Sequence, residues 1–269
     1  MIDKSKFTTK KELFKYLVDN KKDIIDVKKS VVKHCNPINS LSNDNVTVKA
    51  LETNHKDDIS SGVIKRTIVG NTYNWLDSHD DVHLKNTFTV SLKQRGDRVK
   101  FYHDHINQLS AKIGEFDRVY EMEVLWKDLN KPYEGTTTIL AGDADIIRDY
   151  NPSMFKQYLD GRIDQHSVGM YYITLSLGIN DPEHEEEFKE WNKYSKFIAN
   201  IEKAEEQGFA FFVKEAKLIE ISAVTEGSNA ITPTIDNKVN PSKDNLDKVD
   251  PSLDSQKLVS NKYKLKRLC

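Results

Sequence analysis

A serine with a histidine directly before it is the pair of residues that most directly suggests catalysis. The segment GRIDQHSVGMYY, residues 161–172, places His166 directly before Ser167 in a run that is typical of a β-strand. A serine with a histidine base is the arrangement that nucleophilic acyl transfer requires. Successive side chains of a strand point to opposite faces, so a base for Ser167 must come from another element. The alternative is that Ser167 is a small residue packed within a sheet.

Seven further histidines could supply this base. They are His34, His55, His79, His83, His103, His105 and His184. His34 and His55 lie in a helical or linker region, and His184 lies at an acidic helix start, so we set these three aside. The segment FYHDHINQ alternates, and His103 and His105 share a face if it forms a strand. Spacing alone does not choose between them.

The segment NWLDSHDDVHL contains the residue types of a metal site, namely Asp77, His79, Asp80, Asp81 and His83. His79 and His83 are four residues apart, as in helical metal sites, but nothing places them on a helix. We therefore expect a turn in which Asp and Ser bond to nearby backbone, with both histidines in the turn or at the surface. No metal is expected here.

A carboxylate in AKLIEISAV is the remaining candidate. Glu220 has apolar neighbours there, so its side chain can point towards the interior, where a carboxylate needs a partner. A catalytic histidine would be one such partner, and a structural lysine or arginine would be another. The residues themselves leave both possibilities open.

The elements that must position these residues are mostly strands. Short β-branched or aromatic runs recur between polar turns across residues 61–234, which predicts one β-rich domain. Within it, residues 183–207 have apolar residues at helical spacing and Gly208 as a stop, which predicts one inserted helix.

Both ends of the chain differ from this domain. Residues 1–60 predict a leader of one or two amphipathic helices, with Thr9 and Glu12 as a capping box, followed by a linker. Residues 235–269 are polar with a basic end, which predicts a disordered tail.

Composition narrows the class of protein. The 40 Lys and Arg residues nearly balance the 42 Asp and Glu residues, so no basic field indicates nucleic-acid binding. Cys35 and Cys269 are the only cysteines, which excludes a disulfide framework and fits a reducing compartment. We expect a soluble intracellular protein that has no membrane span and no cofactor.

Three blocks taken together resemble a known family. They are NWLDSHDDVHL, HSVGMYY and EAKLIEISAVTEGSNAITPT, with the histidine block between the first two. In this order they are similar to the prohead (capsid maturation) serine proteases of tailed bacteriophages, in the form found in phages of gut bacteria. The resemblance spans roughly residues 62–234, and TKKELFKYLVDNKKDIIDVKKS is similar to the helical leader of that family. It implies an α+β fold with a mostly antiparallel, β-barrel-like core and flanking helices, similar to herpesvirus assemblins.

The resemblance also implies residue roles. Ser167 matches the nucleophile, and His105, which precedes Gly114 of an IG-like turn, matches the base, with His103 as the alternative base. Glu220 matches the acidic residue that orients the base, a position that related herpesvirus proteases fill with a second histidine. The inserted helix separates the serine strand from the EIS strand more widely than in compact members.

The implied function is endopeptidase cleavage during head assembly. Substrates would be the scaffold, the major capsid protein and the protease itself, inside the prohead in the host cytoplasm. A homo-oligomer fits the resemblance, with Phe188, Trp191 and Tyr194 serving either as an interface or as core. The alternative is a non-enzymatic scaffolding or capsid-associated protein that keeps the protease-like fold.

Overall fold

An eight-stranded mixed sheet with six helices makes up the computed structural model, which describes residues 2–30, 32 and 57–235. The strands are β1 (Val63–Thr72), β2 (Asp81–His83), β3 (Lys100–His103), β4 (Lys112–Leu125), β5 (Thr136–Ile147), β6 (His166–Ile179), β7 (Phe209–Ala223) and β8 (Thr234–Ile235). The helices are α1 (Lys10–Asp19), α2 (Lys21–Ser30), α3 (Thr89–Arg95), α4 (Pro152–Leu159), α5 (Glu185–Tyr194) and α6 (Ile201–Gln207). The α+β prediction is confirmed. Residues 33–56, which include most of the predicted linker, and residues 236–269 of the predicted tail lie outside the described residues.

Strand β7 pairs with three other strands in one half of the sheet. Along one edge it pairs antiparallel with β6, and along the other it pairs in parallel with β2 and, further on, with β3. The sheet then continues from β3 through β4, β5 and β1 to β8 by antiparallel pairs.

The prediction of a β-barrel-like core is wrong, because the sheet is open. A barrel needs its two outermost strands to pair with each other. Here β6 pairs with β7 and β8 pairs with β1, and no ladder joins β6 to β8 in the described part of the chain. With two residues, β8 offers little backbone for such a closure.

The N-terminal helices are built into the main hydrophobic core. Thr9 and Glu12 form the predicted capping box at the start of α1. Leu13, Phe14 and Leu17 of this helix are buried in the same cluster as the apolar residues of β6 and β7. Amphipathic helices are stabilised chiefly by such packing, so residues 2–30 contribute to the stability of the sheet that they cover.

The inserted segment forms two helices, so the prediction of one helix is wrong. The side chain of Asn200 binds the backbone of Leu76 at both groups, accepting from its N–H at 2.9 Å and donating to its carbonyl at 3.0 Å. This pairing holds the chain away from a helical path between α5 and α6. The predicted stop is present, since Gly208 ends α6 with a left-handed φ of 80°.

The aromatic face of this insertion packs within the chain. Trp191 is buried, and the rings of Trp191 and Tyr194 both lie against Phe212 of β7. These two side chains therefore serve as core. Across the described residues, no helix is both long enough and apolar enough to cross a membrane.

Candidate catalytic site

The pairing of β6 with β7 places Ser167 and Glu220 on one face of the sheet. Ser167 lies opposite Ser222, and Gly169 lies opposite Glu220. Because directly opposed side chains of an antiparallel pair point to the same face, the two functional side chains lie near each other. The intervening pair, Val168 and Ile221, faces the main core instead.

His105 reaches this face through a strained turn. β3 ends at His103, and the next two residues, Asp104 and His105, have left-handed φ values of 52° and 56°. The turn is held by the Asp104 N–H, which donates to the Ala223 carbonyl at 2.9 Å, and by the Ile106 N–H, which donates to the His103 carbonyl at 3.1 Å. This conformation costs roughly 1–2 kcal/mol for a residue with a Cβ, although Asp and His adopt it more often than most. His103 and His105 therefore do not share a strand face.

Three side chains form a continuous hydrogen-bonded chain. His105 Nε2 lies 2.9 Å from Ser167 Oγ, and His105 Nδ1 lies 2.6 Å from Glu220 Oε1. A carboxylate only accepts, so the proton of a neutral imidazole sits on Nδ1 and leaves Nε2 to accept the Ser167 O–H. This is the order of groups that activates a serine nucleophile.

The chain of groups is well shielded from water. Ser167 is 3% exposed, and the side chains of His105 and Glu220 are 3% and 4% exposed. In such surroundings hydrogen bonds between polar groups are electrostatically stronger than in water. The two hydrogen bonds of His105 are therefore strengthened by their surroundings.

Gly169 is required by the close approach of the Glu220 carboxylate. A Cβ at position 169 would lie 2.1 Å from Glu220 Oε1, the oxygen that faces His105. No carbon and oxygen atoms approach so closely without a bond, so any side chain here must displace the carboxylate. The glycine of HSVG therefore serves the site by leaving space.

The other two candidate histidines have different partners. His103 Nδ1 lies 2.9 Å from the carboxylate of Asp104, and His103 makes no hydrogen bond to Ser167. His166 faces the opposite side of β6, as strand geometry predicts, where its Nδ1–H donates to the Thr232 carbonyl and its Nε2 accepts from the Tyr158 hydroxyl. Burial lowers the pKa of His166 to about 4, so this imidazole is neutral at physiological pH.

The aspartate and histidine block forms the predicted turn with one exception. Asp77 Oδ1 accepts the backbone N–H groups of His79 and Asp81, at 2.7 and 3.0 Å. His83 is neither in this turn nor at the surface, because it lies buried in β2 with its ring against Phe88. Within the residues that the structure covers, no group of three or more His, Cys, Asp and Glu side chains could hold a metal ion.

Two further features differ from the sequence interpretation. Gly114 lies inside β4, paired with Phe101 and Ile146, and is not part of a turn. Ser222 was missed, although its Oγ donates to Glu220 Oε2 at 2.6 Å. The signal was present in EIS, because residues i and i+2 of a strand share a face.

Comparisons with known proteins give no relative from which a role could be transferred. No family model, no curated protein and no solved structure matches the chain.

Proposed function

We propose that this chain is a serine endopeptidase of the prohead maturation type, with Ser167 as nucleophile, His105 as general base and Glu220 as the residue that orients the base. The observation that carries the proposal is the hydrogen-bonded chain from Ser167 Oγ through both ring nitrogens of His105 to Glu220 Oε1. These residues are 62 and 115 positions apart from His105 in sequence, so their meeting is not a local accident.

The hydrogen-bonded chain supports the following chemical steps. His105 Nε2 takes the proton of Ser167 as Oγ attacks the scissile carbonyl, and Glu220 stabilises the imidazolium that forms. The imidazolium then gives its proton to the leaving amine, which departs and leaves an acyl group on Ser167. Water deprotonated by His105 hydrolyses this ester and restores the free serine.

The substrate assignment is supported by the ordered sequence blocks around the three residues. The expected substrates are the scaffold, the major capsid protein and the protease itself, and the expected place of action is the immature head in the host cytoplasm. An assemblin-like relationship is part of the same proposal. Because the sheet is open, the proposed similarity to assemblins concerns the site and the strands that carry it, and not a closed barrel.

Co-expression with the major capsid protein and scaffold of the same genome tests this function. The wild-type chain should shorten at least one of them, whereas Ser167→Ala and His105→Gln should leave both intact, because losing either group costs on the order of 10⁶-fold in turnover. His103→Gln is the matched control, since it removes an imidazole two residues away that is not hydrogen-bonded to Ser167. It should cleave like wild type.

Two results would contradict the proposal. Cleavage by Ser167→Ala at the wild-type rate would exclude Ser167 as the nucleophile. Uncut proteins in heads that assemble normally with every variant would instead support the non-enzymatic assembly role.

A further inference from the structure

Besides His105, the side chain of Ser222 binds the Glu220 carboxylate, at the oxygen that does not face His105. Ser222 lies directly across from Ser167 in the β6–β7 pair and is fully buried. Its hydroxyl donates to Glu220 Oε2 at 2.6 Å, while the other oxygen, Oε1, faces His105. The two oxygens of Glu220 thus bind different neighbours.

This division of oxygens matters because a glutamate carboxylate rotates easily. The terminal torsion of Glu is broad and roughly two-fold, so packing alone defines the plane of its carboxylate poorly. A hydroxyl on Oε2 and an imidazole N–H on Oε1 together define that plane. Gly169, opposite Glu220, leaves the space that the carboxylate occupies in this orientation.

We propose that Ser222 is a positioning residue that fixes the Glu220 carboxylate so that Oε1 holds His105 with Nε2 towards Ser167. This inference rests on the proposed function. Ser222 takes no part in bond making, since its hydroxyl donates to Glu220 and not to the reacting atoms. Without the hydroxyl the carboxylate turns, and His105 spends less time in the orientation that accepts the Ser167 proton.

Ser176 offers a matched control on the neighbouring strand. It lies on β6 and its hydroxyl also donates to a carboxylate, that of Glu190 on α5. Ser176→Ala therefore removes a hydroxyl-to-carboxylate hydrogen bond from the same sheet without touching the site. A purely structural role for Ser222 predicts equal effects of the two substitutions on the chemistry at Ser167.

The experiment compares reaction of Ser167 with a small fluorophosphonate in the full-length chain. The probe bonds to Oγ with loss of fluoride, and its rate reports nucleophile activation without requiring the natural substrate. We expect Ser222→Ala to react about tenfold more slowly than wild type, because a hydrogen bond to a charged group is removed, and Ser176→Ala to react at the wild-type rate. Proton NMR should show the low-field His105 Nδ1–H resonance in wild type and Ser176→Ala and its loss or shift in Ser222→Ala.

A second variant covers the case in which alanine at this buried position disturbs folding. Ser222→Cys keeps the side chain close in size but replaces the hydroxyl with a weak donor, so it should also react slowly. Ser222→Ala or Ser222→Cys reacting as fast as wild type, with an unchanged low-field resonance, would overturn the inference and leave the proposed function intact. Absence of reaction in folded wild type would instead overturn the proposed function.

Discussion

Gly169 shows how much one residue decides at this site. Gly169 of β6 lies opposite Glu220. Any other residue at this position would place its Cβ where the carboxylate lies. Glycine weakens a strand by roughly 0.5–1 kcal/mol relative to alanine, so its presence in the interior of β6 costs stability. That cost is offset by the hydrogen bond between His105 and Glu220, because any side chain at position 169 would have to displace the carboxylate that forms it.

Gly169→Ala should therefore lower activity by at least about 10²-fold while leaving the fold in place. The methyl group displaces Glu220 Oε1 and with it His105, and a misplacement of about 1 Å can lower a rate by about 10²-fold. Turnover should fall by at least this factor, towards the roughly 10⁴-fold loss expected of Glu220→Gln. Circular dichroism and the fluorophosphonate reaction rate check both parts, and wild-type reactivity in the Gly169→Ala variant would contradict the geometry.

At the residue scale, the sequence indicates most residues of the site, but spacing does not show which histidine contacts Ser167. Residue types and a family resemblance indicate Ser167, His105 and Glu220, with His103 as the alternative base, and strand alternation alone removes His166. The choice of His105 over His103 depends on two consecutive left-handed residues, which spacing does not reveal. Ser222 was detectable, because its position two residues after Glu220 follows from the strand itself.

Among the elements, the N-terminal helices have the clearest energetic role. Leu17 on α1 is fully buried in the cluster that also contains Val168 of β6 and Ile221 of β7, the neighbours of the site residues. On α2, Lys28 forms a buried ion pair with Asp81 of β2. The N-terminal helices thus cover apolar surface of the sheet that carries Ser167.

Leu17→Ala should lower the free energy of unfolding by roughly 2–5 kcal/mol, the range for a large-to-small change in a packed core. Val27→Ala on α2 is the control, because Val27 is exposed and its truncation should change stability by no more than about 0.5 kcal/mol. Urea unfolding of both variants measures the difference. Equal stabilities would show that residues 2–30 do not support the fold.

Local sequence patterns predict which segments form strands and helices, but they do not predict how these elements are arranged. Alternation and β-branched runs identify the long strands, and the Thr9 capping box identifies α1. The start of α4 also had a signal, since Asn151 caps it and Pro152 occupies its first turn. The break between α5 and α6 depends on Asn200 bonding to Leu76, 124 residues earlier in sequence, and no local pattern contains that contact.

For the molecule as a whole, two buried histidines make stability sensitive to mild acid. Burial lowers the pKa of both His83 and His166 from 6.5 to about 4. Between these values each histidine binds more protons in the unfolded chain than in the folded one, so the contribution of the two histidines to stability falls as pH drops below about 6.5. Asp77 opposes this trend, because burial raises its pKa to about 7 and the folded state then holds a proton that the unfolded state releases.

His166→Gln should weaken this acid sensitivity. An amide can still donate to the Thr232 carbonyl and accept from the Tyr158 hydroxyl, but it does not titrate. Between pH 7.5 and pH 5, wild type should lose about 2 kcal/mol more of its unfolding free energy than the variant does. The contributions of His83 and Asp77 cancel in this comparison. Parallel pH profiles in urea unfolding would contradict the assignment of a neutral, buried His166.

The central claim is that Ser167 is a nucleophile activated by His105. Reaction of the folded chain with a fluorophosphonate, followed by peptide mass spectrometry, tests it most directly. We predict a single adduct on Ser167, no adduct on that peptide in Ser167→Ala, a rate at least 10³-fold lower in His105→Gln, and the wild-type rate in His103→Gln. An unmodified Ser167 in folded wild type, or equal rates in wild type and His105→Gln, would contradict it.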